Sequence, residues 1–168
     1  IEPLACVMKS WSLGTMGRDM ATTSVAIIGM GVMGLMHALI AGHCVGLDLN
    51  PKRVAWAQSI GIDAKDPACL SESESFPLIF VCPGNQAAFD LAIQIASPGA
   101  TIVLFAPLDP QSTLQVRSAA YFRDLSIVHS YSCGPMDTLA AKTQLEARVM
   151  RHEQVVSDLI AIDQLPAA

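Results

Sequence analysis

Apolar residues in this chain come in short unbroken runs, Val25–Ile28, Cys44–Leu47, Leu78–Val81 and Thr101–Phe105, with longer stretches of mixed polarity between them. Four or five apolar residues without polar alternation suit a strand buried on both faces, as in a parallel sheet covered by helices. The intervening stretches carry helical punctuation. Val32–Ala41 ends at Gly42, a natural C-terminal stop. Asn50-Pro51 places a capping side chain before a first-turn proline and predicts a helix to about Ser59. Gln86–Ala96 predicts another helix, after which Ser97-Pro98-Gly99 turns the chain into the fifth strand. Ile62–Ala64 predicts a short third strand and Leu125–His129 a sixth. Pro135–His152 predicts a closing helix with Leu139, Leu145, Val149 and Val156 as its apolar positions. Residues 65–77 read as a polar crossover loop. Strands separated by crossovers predict an α/β fold: a doubly wound parallel sheet of about six strands, order 3-2-1-4-5-6, with helices on both faces.

The stretch Gly29-Met30-Gly31-Val32-Met33-Gly34 joins the first strand to its helix, and its glycines have separate duties. Gly29 allows a sharp turn out of the strand. Gly31 removes a side chain where backbone N–H groups would approach a pyrophosphate. Gly34 allows the helix to pack closely on the sheet, with its N-terminus facing the negative charge. Asp48 follows Gly29 by 19 residues, close to the roughly 20 expected of an acid that binds the adenosine ribose. Glycine turns are common, but strand, turn, helix and acid together specify a Rossmann-type dinucleotide site.

Composition narrows the function classes. With 52% apolar and 15% charged residues among 168, the chain can bury a full domain core. Its net charge is −5 and its ten Lys and Arg residues are scattered, so no basic footprint for nucleic acid exists. The five cysteines are odd in number and form no Cys-x-x-Cys pair; they read as buried thiols in a reducing cytoplasm. No apolar run reaches the roughly 18 residues of a membrane span, and the N-terminus lacks the basic-then-apolar signal pattern. Residues 1–23 read as the remnant of, or a linker from, a preceding catalytic domain. Residues 24–160 read as the dinucleotide-binding domain, and 161–168 as the start of a return segment. The chain is thus expected to be part of a longer polypeptide.

Five stretches, Glu2–Val7, Val25–Gly34, Gly46–Arg53, Ser97–Phe105 and Ile127–Ser132, occur in the order found in medium-chain, zinc-dependent alcohol and polyol dehydrogenases. The chain resembles the cofactor-binding domain of that family, in its sorbitol/threonine dehydrogenase branch. The resemblance implies an NAD-dependent parent enzyme that oxidises an alcohol or polyol. Zinc would be held in the parent by Cys and His ligands lying before residue 1, which would leave this chain alone inactive. It implies cofactor contacts at Gly29, Gly31, Val32, Met33 and Gly34, then at Asp48, Leu49 and Arg53 around the adenosine. Cys82, Pro83, Phe105, Ala106, Ser130 and Tyr131 would continue the contacts toward the nicotinamide. Glu2 matches an acid near, or on, the catalytic zinc. The resemblance also implies a homodimer formed along the sixth strand and the segment Pro107–Ala120, with Leu108, Leu114, Val116 and Tyr121 at the contact. The segment from Gly34 to Asp48 is about one helical turn shorter than the family's. The usual helix between strands three and four is missing, and His129 stands where a small residue is usual.

Other residues have plainer readings. Met30, Met33 and Met36 suit core and turn filling, His37 a satisfied helix histidine, and His43 and His152 solvated positions. Cys82 reads as a buried thiol, since no activating base is near it in the chain. Tyr121 and Tyr131 lack the lysine four residues on that short-chain reductases use. Three alternatives remain open: an NAD-sensing regulatory module without chemistry, the cofactor domain of a 3-hydroxyacid or prephenate-type dehydrogenase, and an S-adenosylmethionine-dependent methyltransferase.

Overall fold

The computed structural model describes residues 1–156, 160 and 161. Six strands, β1 (Val25–Ile28), β2 (Val45–Leu47), β3 (Asp63–Lys65), β4 (Phe76–Val81), β5 (Ala96–Leu104) and β6 (Ser126–His129), form one sheet. Every neighbouring pair is parallel. Their order is β3-β2-β1-β4-β5-β6, as the punctuation predicts. Side chains alternate between faces along each strand. Val25, Ile27, Leu78, Phe80 and Val103 point to one core, with α1 (Glu2–Gly14), α2 (Val32–Ala41), α3 (Pro51–Ser59) and α6 (Pro135–Glu146) packed over them. Ala26, Ile28, Ile79, Val81, Ile102 and Leu104 point to the other, under α4 (Gln86–Ile95) and α5 (Ser118–Phe122). Burial on both faces explains why the strands read as unbroken apolar runs. No helix among the described residues is long and apolar enough to cross a membrane.

Several boundaries move. The first helix continues to Gly14 because Leu4, Val7 and Trp11 form a stripe that packs into the core. Its last turn presses so closely on the sheet that a Cβ at Gly14 would lie 2.9 Å from Val103 Cγ2. β5 begins at Ala96, and the Ser97-Pro98-Gly99 turn survives inside it as an irregularity, with Gly99 at φ +71°. The closing helix ends at Glu146, well short of His152. Arg148 adopts φ +54°, a left-handed conformation that no helix continues through. Leu139, Leu145, Val149 and Val156 are all exposed, and Ala141 and Met150 do the packing instead. Between β3 and β4 only a 3-10 turn, Pro67–Cys69, interrupts the loop. Apart from Ala161, the expected return segment 161–168 lies outside the described residues.

The first two helices meet around a buried polar pair. His37 has no exposed surface, and its Nε2 lies 2.7 Å from the Ser10 hydroxyl. Its Nδ1 lies 2.8 Å from the Met33 carbonyl. In a neutral ring Nδ1–H donates to Met33 and Nε2 accepts from the Ser10 hydroxyl, whose single proton is shared with the Val7 carbonyl, also at 2.7 Å. Burial lowers the ring's pKa from the ordinary 6.5 to about 4, against a smaller opposing effect of the Met33 carbonyl. Between these values the unfolded chain takes up a proton that the folded chain refuses. The contribution of His37 is therefore fully present above pH 6.5 and is lost as pH falls toward 4. Over that window it should amount to roughly 3 kcal/mol. Urea unfolding as a function of pH should show this slope, and a His37→Phe variant should flatten it whatever its stability at neutral pH.

Candidate cofactor site

The glycine turn is built as its spacing implies. Gly29 sits at φ +89°, and a Cβ there would meet the Pro83 ring at 2.8 Å. At Gly34 a Cβ would run into the carbonyl oxygen of Gly29, so α2 rests directly on the end of β1. Gly31 is different: nothing lies within 4 Å of its missing Cβ. It caps the N-terminus of α2 without a side-chain hydrogen bond. The start of that helix therefore has open space beside Gly31, and an anion there is favoured by both hydrogen bonding and the helix dipole.

Asp48 lies at the carboxyl end of β2 and is almost wholly buried. Its Oδ2 accepts from the Met30 backbone N–H at 2.7 Å, and its Oδ1 accepts from Asn50 N–H at 2.8 Å. The Arg53 guanidinium stands 3.6 Å away. A carboxylate offers about four acceptor positions, so these two hydrogen bonds orient Asp48 and leave capacity for a ligand. Asn50 accepts from Lys52 N–H and caps α3, as the sequence predicts, which sets Arg53 in the first turn beside Asp48.

Two hollows open at the carboxyl ends of the strands, where ligands of such sheets bind. One, of about 440 Å³, is lined by Gly29, Asp48, Leu49, Arg53 and Pro83, as expected. It also takes Pro67, Asn85 and Leu91, which no sequence pattern pointed to. The second, of about 570 Å³, gathers Met33, Phe105, Ala106, Ser130, Tyr131 and Glu2. His129 lines it too, so the residue that departs from the family's small side chain reaches this cavity. Gly31, Val32 and Gly34 line neither hollow. In the chain Gly31 and Val32 fall between Gly29 of the first and Met33 of the second. Ser130 is buried, and its hydroxyl has no hydrogen-bond partner among the described residues. An orphaned hydroxyl in that wall suits a polar ligand group.

Cys82 lines neither hollow. A base does stand near it in space, His37 Nδ1 at 3.9 Å from its sulfur, though the chain order hid this. Burial nevertheless pushes the Cys82 thiol up to about 12, so it stays protonated and unreactive. Cys44 is likewise raised to about 12 by burial and then by Asp63. Cys6 reaches about 12 through burial, then the neighbouring Glu2 and Cys133. A third hollow, of about 360 Å³, includes Val25, Val45 and Asp63 at the opposite ends of the strands, away from the glycine turn.

No family model matches the chain, and no curated protein matches it. Solved structures do. Galactitol-1-phosphate dehydrogenase from Escherichia coli aligns with a TM-score of 0.75 at 22% identity, covering 90% of this chain and 49% of that one. Alcohol dehydrogenase TADH from Thermus sp. ATN1 aligns at 0.76 and 20% identity, covering 94% and 50%. Acetophenone reductase from Geotrichum candidum NBRC 4597, in complex with NAD, aligns at 0.75 and 16%, covering 89% and 45%. The chain spans about half the length of these structures. At such identities the likeness is one of fold, and the fold is the Rossmann-type doubly wound sheet.

The glycines make separable predictions. Gly34→Ala forces a methyl group against backbone and should destabilise the chain by at least the ~1–3 kcal/mol of an overpacked core. Gly31→Ala meets open space and should change stability by less than about 1 kcal/mol, since its φ of −76° suits alanine. It should nonetheless weaken dinucleotide binding. Urea unfolding and calorimetry on the two variants separate these effects.

Proposed function

We propose that this chain is the NAD-binding domain of an oxidoreductase that transfers a hydride between an alcohol or polyol and NAD with zinc assistance. The observation that carries the reading is the Asp48 carboxylate at the end of β2. It is pinned to the glycine turn through Met30 N–H, next to an uncapped α2 N-terminus that Gly31 leaves open. The fold shared with an alcohol dehydrogenase and with an acetophenone reductase bound to NAD supports it. Asp48, Leu49 and Arg53 would hold the adenosine ribose. Gly29, Gly31, Val32, Met33 and Gly34 would hold the pyrophosphate, Gly34 by seating the helix. Pro83, Phe105, Ala106, Ser130 and Tyr131 would line the way to the nicotinamide, with Cys82 behind them as packing. Bound nicotinamide supplies the hydride acceptor, and bound zinc supplies the Lewis acidity that lowers an alcohol's pKa. Glu2, in the wall of the second hollow, is the residue by which this chain would reach that zinc. Five free cysteines suit a reducing, cytoplasmic setting.

Asp48 also implies cofactor choice. Two unit charges about 4 Å apart at an effective dielectric near 20 repel by about 4 kcal/mol. The 2′-phosphate of NADP would meet that repulsion, partly offset by Arg53. NAD should therefore bind at least about tenfold more tightly than NADP, a difference of about 1.4 kcal/mol. Asp48→Ser should narrow the gap. Calorimetry that finds the two cofactors equal on the unaltered chain sinks the assignment of Asp48.

Association follows from the other end of the sheet. β6 is its outer strand, and such an edge offers unpaired backbone groups to another chain. Beside it Tyr121 and Phe122 are about 80% exposed and stacked edge to face at 5.4 Å, with Val116 exposed nearby. Leu114, expected at the contact, instead packs toward the core. We infer a homodimer through this edge. Light scattering should give about twice the 17.8 kDa chain mass at micromolar concentration. Phe122→Asp and Val116→Asp should shift it to monomer; a wild-type monomer refutes the contact.

A further inference from the structure

Three metal-ligating side chains meet at the mouth of the second hollow. Glu2 and Cys6 are four residues apart on α1 and so share one face of the helix. The Cys6 thiol donates to Glu2 Oε1 at 3.3 Å. Cys133 reaches the same point from the loop between β6 and α6. A carboxylate oxygen and two sulfurs there lie within 4.8 Å of one another. In a tetrahedral zinc site with Zn–S bonds of about 2.3 Å the sulfurs stand roughly 3.8 Å apart. A shift of about 1 Å or less would therefore close these three onto one ion.

The surroundings hold the donors in place and leave them free. Leu4, Ala5 and Val7 anchor the helix in the core, and Cys133 packs against that core. Lys9 donates to the Tyr131 carbonyl at 2.7 Å and ties the loop to α1. Asp137 accepts from Gly134 N–H and fixes the next residue at the start of α6. No ion pair among the described residues involves Glu2. Glu2 and Cys6 both line the hollow, so a fourth position would face it.

We propose that Glu2, Cys6 and Cys133 form a binding site for a borderline-soft divalent cation of the zinc type, with one coordination position open to the hollow. Two sulfurs and one oxygen select such an ion over calcium or magnesium, which take oxygen ligands. Binding releases the two thiol protons to solvent and leaves both sulfurs as thiolates on the ion. The proposal draws all its ligands from this chain. It shares two things with the proposed function: the second hollow, into which the open position faces, and Glu2, which that reading directs to the parent's zinc.

The test is titration of the 168-residue chain with Zn²⁺, and with Co²⁺ as a coloured substitute, in reducing buffer free of chelator. One ion per chain and a thiolate-to-cobalt absorption band are expected. Changes outside the ligand shell alone weaken metal sites about 10–100-fold, so Cys6→Ser or Cys133→Ser should weaken binding at least that much. Glu2→Gln should weaken it, and Cys69→Ser, at an exposed free cysteine, should not. On the wild-type chain, zinc should shield Cys6 and Cys133 from alkylation and leave Cys69 reactive, which keeps the test intact if a variant fails to fold. A thiolate band that survives in the Cys6→Ser/Cys133→Ser double variant overturns the proposal. So does the absence of binding, or a pair that only forms a disulfide in air and ignores zinc. Calorimetry with NAD on the same proteins separates the two readings. Loss of zinc with NAD binding retained follows the proposal, and loss of NAD binding alone bears on the cofactor assignment.

Discussion

Among the glycines the least room is at Gly34 of α2, where an added Cβ would run into the carbonyl oxygen of Gly29 at the end of β1. That contact fixes the depth at which α2 lies on the sheet, and with it the direction of the helix N-terminus. Asp48 closes the arrangement from the next strand by accepting the Met30 N–H inside the turn. Met30 in turn fills the space over β2, where a Cβ at Gly46 would meet its sulfur at 2.5 Å. Strand, helix and acid are thus positioned by one another, and the open face at Gly31 is what remains. Its openness is the result of crowding everywhere else in the turn.

The first helix depends on the same platform. Ser10 meets His37 of α2 in a site without solvent, and the His37 ring packs against Trp11, Phe80 and Phe105 at centroid distances of 4.9–6.5 Å. Phe105 belongs to the second hollow. The packing that seats α1 therefore continues into the cavity wall and carries Glu2 and Cys6 to its rim. A helix that precedes the first strand in the chain becomes part of the site made at the strands' carboxyl ends.

The parts legible in the sequence are those whose cause is local. Asn50 and Pro51 start α3, Gly42 stops α2, and Gly29–Gly34 turn as their spacing requires, because capping and backbone freedom act within a few residues. The parts that were not legible depend on tertiary packing or distant loops. An apolar pattern continues past Glu146, but the left-handed Arg148 ends the helix and leaves Val149 beyond it exposed. α1 runs to Gly14 because the sheet accepts its apolar stripe, which propensity alone does not reveal. The five-residue α5 is too short to show a helical period. Asn85 and Pro67 join Asp48 only in space, and Cys133 meets Glu2 and Cys6 across most of the chain, so no spacing could have announced either grouping.

Polar groups inside this chain divide into two kinds, and the division locates its chemistry. Ser10 and His37 have the outline of a hydroxyl with its activating base. Yet both are fully buried, the ring is held well below its ordinary pKa, and no substrate atom can approach. Cys82 beside the same ring is a thiol kept protonated by burial. Although Trp11 Nε1 beside them has no hydrogen-bond partner among the described residues, Ser10 and His37 bond to each other and Cys82 lies against the same ring. At the carboxyl ends of the strands the opposite holds. The Ser130 hydroxyl lacks a partner among the described residues, α2 begins without a cap, and Asp48 keeps acceptor positions beyond its two hydrogen bonds. An unmade hydrogen bond in buried surroundings costs about 1–3 kcal/mol, a cost that a ligand bonded to the Ser130 hydroxyl would remove. That concentration of unused capacity, more than any reactive side chain, argues that the chain binds and orients.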